Sequence, residues 1–92
     1  MSDPYNRLLV MHQEGLTLLQ VLTLVRLAGC GTARGVDLAT AFNVTHPAIS
    51  RSISSLVTSK YVEEKRGTID RREVFYSLTA KAHHKFFRGF GQ

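Results

Sequence analysis

The 92-residue chain is long enough for one small domain and too short for two. At 43% hydrophobic and 21% charged its composition is that of a globular protein, not of a disordered or repetitive one. The net charge of +5 comes entirely from residues 46–92, where Arg51, Lys60, Lys65, Arg66, Arg71, Arg72, Lys81, Lys85 and Arg88 face only Glu63, Glu64, Asp70 and Glu73.

Residues 1–45 sum to zero, and a basic half beside a neutral one points to a polyanionic partner. A lone Cys30 excludes an internal disulfide and fits a reducing, cytoplasmic setting. The most apolar stretch, Leu16 to Gly29, is broken by Thr17, Gln20, Thr23 and Arg26. It falls short of the roughly 20 apolar residues that cross a bilayer, and no signal peptide or membrane association is expected.

Asp3-Pro4 reads as N-cap and first helical residue, because Asp accepts from free amides and Pro has none to lose. Tyr5, Leu8, Leu9 and His12 then share one face of a short helix ending near Gly15. Thr17 and Gln20 form a capping box that opens a second helix, expected to stop at Gly29. Leu18, Val21, Leu22, Leu24 and Val25 leave it few polar positions and predict a central buried helix. Cys30 to Gly35 reads as a glycine-rich linker. A third helix runs from about Gly35 to Phe42, with Asp37 in its first turn, and Asn43 is suited to the left-handed residue that closes it.

Thr45 caps a fourth helix through about Lys60, with Ile49, Ile53, Leu56 and Val57 inward. Periodicity then changes from 3.6 to 2. Tyr61–Arg66 and Glu73–Leu78 are rich in β-formers and flank a polar turn from Gly67 to Arg71, which predicts a hairpin tipped by Arg71 and Arg72. Thr79 caps a last helix reaching about Arg88.

Two helices joined by a short turn and followed by a basic hairpin make a helix-turn-helix (about 35–60) with a wing (about 61–78). The expected fold is α+β, mostly α: a single winged helix-turn-helix domain over residues 1–92, with a three-helix core, a β-hairpin wing and short flanking helices. The outward face of the fourth helix offers Pro47, Arg51, Ser54, Ser55 and Thr58, with Ala48 at its margin and His46 at its start. No carboxylate occurs between Asn43 and Lys60. Ser50, Ser52, Ser54, Ser55, Thr58 and Ser59 are poor helix formers, but short hydroxyls approach phosphates and base edges closely. Arg51 is the one forked donor there, able to hold guanine O6 and N7 or a phosphate pair. A solvated serine face is the plainer reading of such a helix. The missing acids, the preceding turn and the basic hairpin favour nucleic acid.

Leu38-Ala39, Asn43-Val44-Thr45, Ile49-Ser50-Arg51, Leu56 and Lys60-Tyr61-Val62, followed by Asp70-Arg71-Arg72 and Leu78-Thr79, resemble the MarR (multiple antibiotic resistance regulator) winged-helix family. Asp-x-Arg with Leu-Thr six residues beyond is the most specific part, and the likeness spans about Leu16 to Lys85. The resemblance implies that Thr45–Thr58 form the recognition helix and that Arg72 enters the minor groove. It also implies that Asp70 orients Arg72 by a salt bridge and that Arg71 contacts phosphate or groove floor; Lys65 joins them on the wing. Family members continue past the wing into long C-terminal helices that build the dimer interface and a ligand pocket. This sequence ends at Gln92, roughly two or three helical turns after Thr79, and reads as a short member without them.

The expected DNA-binding set is therefore Thr45, His46, Pro47, Ala48, Ser50, Arg51, Ser54, Ser55, Thr58, Lys65, Arg71 and Arg72, with Asp70 orienting the wing. The expected partner is double-stranded DNA, bound as a repressor homodimer on an inverted repeat. Tyr5, Leu8, Leu9, Phe86, Phe87 and Phe90 are the candidate interface, although the terminal aromatics could equally pack on the first helix. A protein-interaction module and a non-specific DNA-binding accessory factor are the alternatives.

Gly29-x-Gly31-x-x-x-Gly35 matches neither the dinucleotide nor the Walker pattern and reads as a loop. Cys30 reads as a small buried or loop cysteine rather than a redox sensor, since no local basic neighbours stand ready to activate it. His12, His46, His83 and His84 lack the spacing that sets two ligands on one helical face, so neither metal nor cofactor is expected. The seven acids form no catalytic pair.

Overall fold

The computed structural model describes the backbone of residues 4–87 and side chains from Arg7 to Phe87. Asp3, Arg88 and Phe90, and the side chain of Tyr5, lie outside the described residues. The elements follow the order α1 (Pro4–Gln13), α2 (Leu18–Cys30), β1 (Thr32–Arg34), α3 (Gly35–Phe42), α4 (His46–Thr58), β2 (Val62–Arg66), β3 (Val74–Leu78) and α5 (Ala80–Phe86).

Local capping chemistry sets most helix starts. Thr17 Oγ1 accepts from Gln20 N at 3.2 Å while Gln20 Oε1 accepts from Thr17 N at 2.8 Å, so the capping box of α2 is formed. Thr45 Oγ1 accepts from Ala48 N, and Thr79 Oγ1 from Ala82 N, so α4 and α5 begin in the same way. Asn43 closes α3 in the left-handed conformation (φ 55°, ψ 49°), and three residues then separate α3 from α4. α4 ends at Thr58, two residues before the expected Lys60, because Ser59 caps it and Lys60 takes φ 67°. That reversal frees the Lys60 carbonyl to accept from Thr79 Oγ1 at 2.6 Å, which pins the start of α5 beside the exit of α4.

The linker reading of Cys30–Gly35 is corrected. α2 continues through Gly29 to Cys30 and is stopped by Gly31 at φ 85°, and Thr32–Arg34 form a short strand. β1 pairs antiparallel with β3 (Thr32 with Ser77, Arg34 with Phe75), and β3 pairs antiparallel with β2 (Val62 with Leu78, Arg66 with Val74), giving the order β1-β3-β2. The wing is thus bonded to the segment that enters the helix-turn-helix. Its strands are one residue shorter than expected, since Tyr61 and Glu73 lie just outside.

One core cluster unites Met11, Val21, Leu24, Leu27, Leu56, Tyr61, Val62, Leu78, Ala82, Phe86 and Phe87; a second, Leu38, Ala39, Ile49 and Ile53, lies within the helix-turn-helix. The α4 stripe is as read from the sequence, with Ile49, Ile53 and Leu56 buried and Val57 half-buried. Two helix faces are corrected. In α1, Met11 is buried while Leu8, Leu9 and His12 are exposed. In α2, Leu18, Leu22 and Val25 are exposed; Gln20 and Thr23 are buried with Val21, Leu24 and Leu27. Burial of Thr23 carries no unsatisfied group, because its hydroxyl donates to Leu19 O at 2.8 Å.

Phe86 and Phe87 pack on the first helix. Phe86 stands edge-on to Tyr61 at 4.9 Å, Arg7 Nε donates to Phe86 O at 3.1 Å, and the Arg7 guanidinium lies 5.6 Å from the Phe87 ring centre. Phe86 and Phe87 therefore belong to the core and leave no exposed aromatic surface, contrary to their place in the expected interface. No helix among the described residues is long and apolar enough to cross a membrane.

Candidate nucleic-acid interface

The face of α4 opposite Ile49, Ile53 and Leu56 is exposed as the helical period requires. Thr45, His46, Pro47, Ser50, Arg51, Ser54, Ser55 and Thr58 are all exposed, and Ala48 is half-buried. Thirteen residues make a rod about 20 Å long. Arg51 makes no hydrogen bond or ion pair among the described residues, so its five donors face solvent.

The wing stands beside this helix. A groove of about 330 Å³ runs between them, floored by Ile53, Val74 and Tyr76 and rimmed by His46 and Ser50 on one side and Arg72 and Glu73 on the other. A second, of about 220 Å³, lies between Ser54, Thr58 and Glu64. Tyr76 separates them, and its burial, followed by the charge of Glu64, raises its phenol pKa and keeps it neutral. Glu64 lines that second groove opposite Ser54 and Thr58.

The tip is an ordered turn. Gly67 N donates to Glu73 O at 2.9 Å and Glu73 N to Asp70 O at 3.1 Å. Arg66 Nη1 donates to Arg71 O at 3.3 Å. Asp70 Oδ1 accepts from Arg72 N at 3.0 Å and Arg72 Nε at 3.2 Å, and Oδ2 accepts from Arg72 Nη2 at 3.3 Å. Asp70 and Arg72 are thus brought together in a forked pair. The Arg72 hydrogen bonds hold the Asp70 carboxyl below its ordinary pKa, chiefly through the side chain and then the amide. Arg72 nevertheless remains 92% exposed, so the pair sets its direction without using up its surface. Lys65 and Arg71 are exposed as well. Lys65 sits opposite Phe75, on the face of the wing that carries Arg34 opposite the same residue.

Sequence reasoning missed the clamp at the base of the wing. Arg34 donates through Nε and Nη2 to Asp37 and through Nη1 to Glu73 at 3.0 Å, joining the first turn of α3 to the start of β3. Hydrogen bonds to Asp37 come first in raising the Arg34 pKa, and the same contact lowers that of Asp37. Asp37 is readable as a first-turn acid, but Glu73 lies 39 residues from Arg34 and nothing in the sequence links them. Gly67 was also missed: a Cβ there would stand 2.6 Å from Asp70 O, so only glycine lets the tip close. Arg66 turns out to brace the tip. Cys30 is exposed, with Sγ 3.4 Å from Thr32 O. No cluster of three potential metal ligands occurs among the described residues.

Residues 8–88 match the family model for the transcriptional regulators SarA/Rot. The chain belongs to that family. Among solved structures it is similar to YusO from Bacillus subtilis (26% identity, TM-score 0.78, 88% of this chain and 57% of that one). It is similar too to the adhesin competence repressor AdcR from Streptococcus pyogenes (27%, 0.75, 91% and 63%) and to a MepR-like protein (32%, 0.76, 85% and 55%). The chain thus spans less than two thirds of the length of each. No curated protein matches the sequence. Family and fold agree with the MarR-like winged helix expected from Asp70-Arg71-Arg72 and Leu78-Thr79, and the family is one of transcriptional regulators, not enzymes.

Proposed function

We propose that this regulator binds double-stranded DNA sequence-specifically, with α4 in the major groove and the Arg71-Arg72 tip in the adjacent minor groove. One observation carries the reading: the exposed, acid-free face of α4 lies beside an ordered tip whose arginines face solvent. An α-helix fits a major groove about 12 Å wide, and a narrow minor groove concentrates the negative potential that an arginine meets. His46 and Thr45 lie where a phosphate flanks the N-terminus of α4, while Pro47, Ala48, Ser50, Ser54, Ser55 and Thr58 offer small contacts to base edges and sugars.

The protein acts as a homodimer on an inverted repeat, whose recognition helices engage sites about 34 Å apart. Leu8 and Leu9, left exposed on α1, are the residues of the expected interface that a second copy can cover. Repression follows by occupancy of the site. AdcR, similar over most of this chain, is described as a repressor. The place of the present protein is the cytoplasm, at the nucleoid.

The test uses duplexes recovered by this protein from a random pool. Arg51→Ala weakens the recovered duplex by roughly 1–3 kcal/mol and relaxes one base position. Arg72→Ala weakens binding through the flanking minor groove. Random duplex bound as tightly as recovered duplex would leave a non-specific accessory factor instead.

A further inference from the structure

Ile69 is 100% exposed, while among the described residues the next most exposed large apolar side chain, Leu18, is at 73% and belongs to a helix face. Ile69 stands alone at the end of the hairpin, inside what the sequence offers as a polar turn. Its position is held by the hydrogen bonds that close the tip on either side, from Gly67 N to Glu73 O and from Arg72 to Asp70. A branched apolar side chain left in water on an ordered projection is unfavourable against burial, and nothing among the described residues covers it. Around it stand the exposed cations Arg66, Arg71 and Arg72. The surface that suits such a tip is apolar at its centre and flanked by anions. The minor groove has that character, with deoxyribose walls about 6 Å apart between two rows of phosphates.

We infer that Ile69 is the wing's apolar contact in the minor groove, packed against sugar walls and A·T base edges where no guanine amino group obstructs the floor. This rests on the duplex-binding reading above. Proteins that enter the minor groove commonly combine an apolar side chain with arginines in this way. The arginines supply charge and direction, and Ile69 supplies selectivity for a floor free of the guanine N2 amino group.

The experiment compares the full chain with Ile69→Ser and Ile69→Val on three duplexes. The first is recovered by the unmodified protein from a random pool; the second replaces the A·T pairs beneath the wing by G·C, and the third by inosine·C, which lacks the amino group. On the first, Ile69→Ser binds about tenfold more weakly and Ile69→Val within about twofold, scaled to the apolar area each change removes. The salt slope of Ile69→Ser equals that of the unmodified protein, because no phosphate contact is lost. Thermal stability is unchanged as well. G·C costs the unmodified protein the same factor and Ile69→Ser nothing further, while inosine·C restores tight binding. Ile69→Ser binding as tightly as the unmodified protein, or losing the full factor again on G·C, would overturn the inference. If the unmodified protein binds no duplex even at low salt, the duplex-binding reading fails, and this inference with it.

Discussion

Gly67→Ala isolates the contribution of wing-tip geometry from that of its charges. The added Cβ meets Asp70 O at 2.6 Å, so the carbonyl must retreat by about 0.8 Å to reach an ordinary contact of 3.4 Å. Asp70 O also accepts from Glu73 N, and the Asp70 carboxylate holds Arg72, so the displacement passes to Glu73 and to Arg72. Overpacking of this kind costs about 1–3 kcal/mol, and exposed hydrogen bonds lost with it lie at the low end of about 0.5–1.5 kcal/mol each. The β2–β3 ladder from Val62–Leu78 to Arg66–Val74 lies below the clash and stays paired. The cost therefore falls on a preorganised tip rather than on the fold. Affinity for a recovered duplex drops about tenfold, equivalent to about 1.4 kcal/mol, whereas a tip that opens to relieve the clash gives up only about 0.5 kcal/mol of stability and moves Tm by less than about 4 °C. Fluorescence anisotropy gives the affinity, and amide chemical shifts should move only near residues 66–73. Undiminished affinity in a variant whose tip shifts have moved would refute the argument that tip geometry matters; a collapse in Tm would refute the argument that the tip is local.

Arg34→Ala leaves Asp37 and Glu73 without their partner beside the groove, loosening the wing base and exposing two negative charges toward the DNA. Duplex affinity should fall about fivefold, and adding Glu73→Ala should recover part of it, a coupling that a double-mutant cycle in anisotropy titrations would register. Acid acts at a different place. Glu14 accepts from Tyr61 Oη at 3.2 Å and pairs with Lys85 at 3.1 Å, and the Lys85 hydrogen bond is the first cause that lowers its pKa. A carboxyl lowered on folding contributes stability above its ordinary pKa and loses it as pH falls through that value toward the folded one. Melting temperature should therefore be level from neutral pH to the top of the carboxylate range and decline below it, less steeply in Glu14→Gln. Equal acid limbs in differential scanning calorimetry would remove Glu14 from that role.

What the sequence made legible was chemistry acting over three or four residues. The capping box of Thr17 and Gln20, the caps at Thr45 and Thr79 and the left-handed Asn43 each pair a side chain or conformation with backbone close by. Faces were legible only where one side of a helix is polar. α4 has serines opposite its isoleucines, so its outward set follows from the period. α2 has leucines and valines on both sides, and Leu18, Leu22 and Val25 compete on equal terms with Val21, Leu24 and Leu27. Thr23 then enters the buried face because its hydroxyl is satisfied by its own helix. Long-range pairing left no local signal: three-residue β1 finds its partner more than 40 residues away, and Arg34 finds Glu73 by the same crossing. For the candidate site, the acid-free helix and the Asp70–Arg72 pair were readable, while the glycine that closes the tip and the isoleucine it presents were hidden in a turn that looked merely polar.

The most direct test of duplex binding by α4 and the wing is the salt dependence of the affinity of the unmodified protein for a recovered duplex. Arg51, Lys65, Arg66, Arg71 and Arg72 are exposed cations of that surface; Arg66 braces the tip, and the others are set against bases or phosphates. Counterion release then predicts a slope of log affinity against log salt between about −2 and −4 per bound protomer. Arg72→Ala, if that arginine neutralises a phosphate, makes it shallower by roughly one. A slope near zero, or no binding at low salt, would contradict the account.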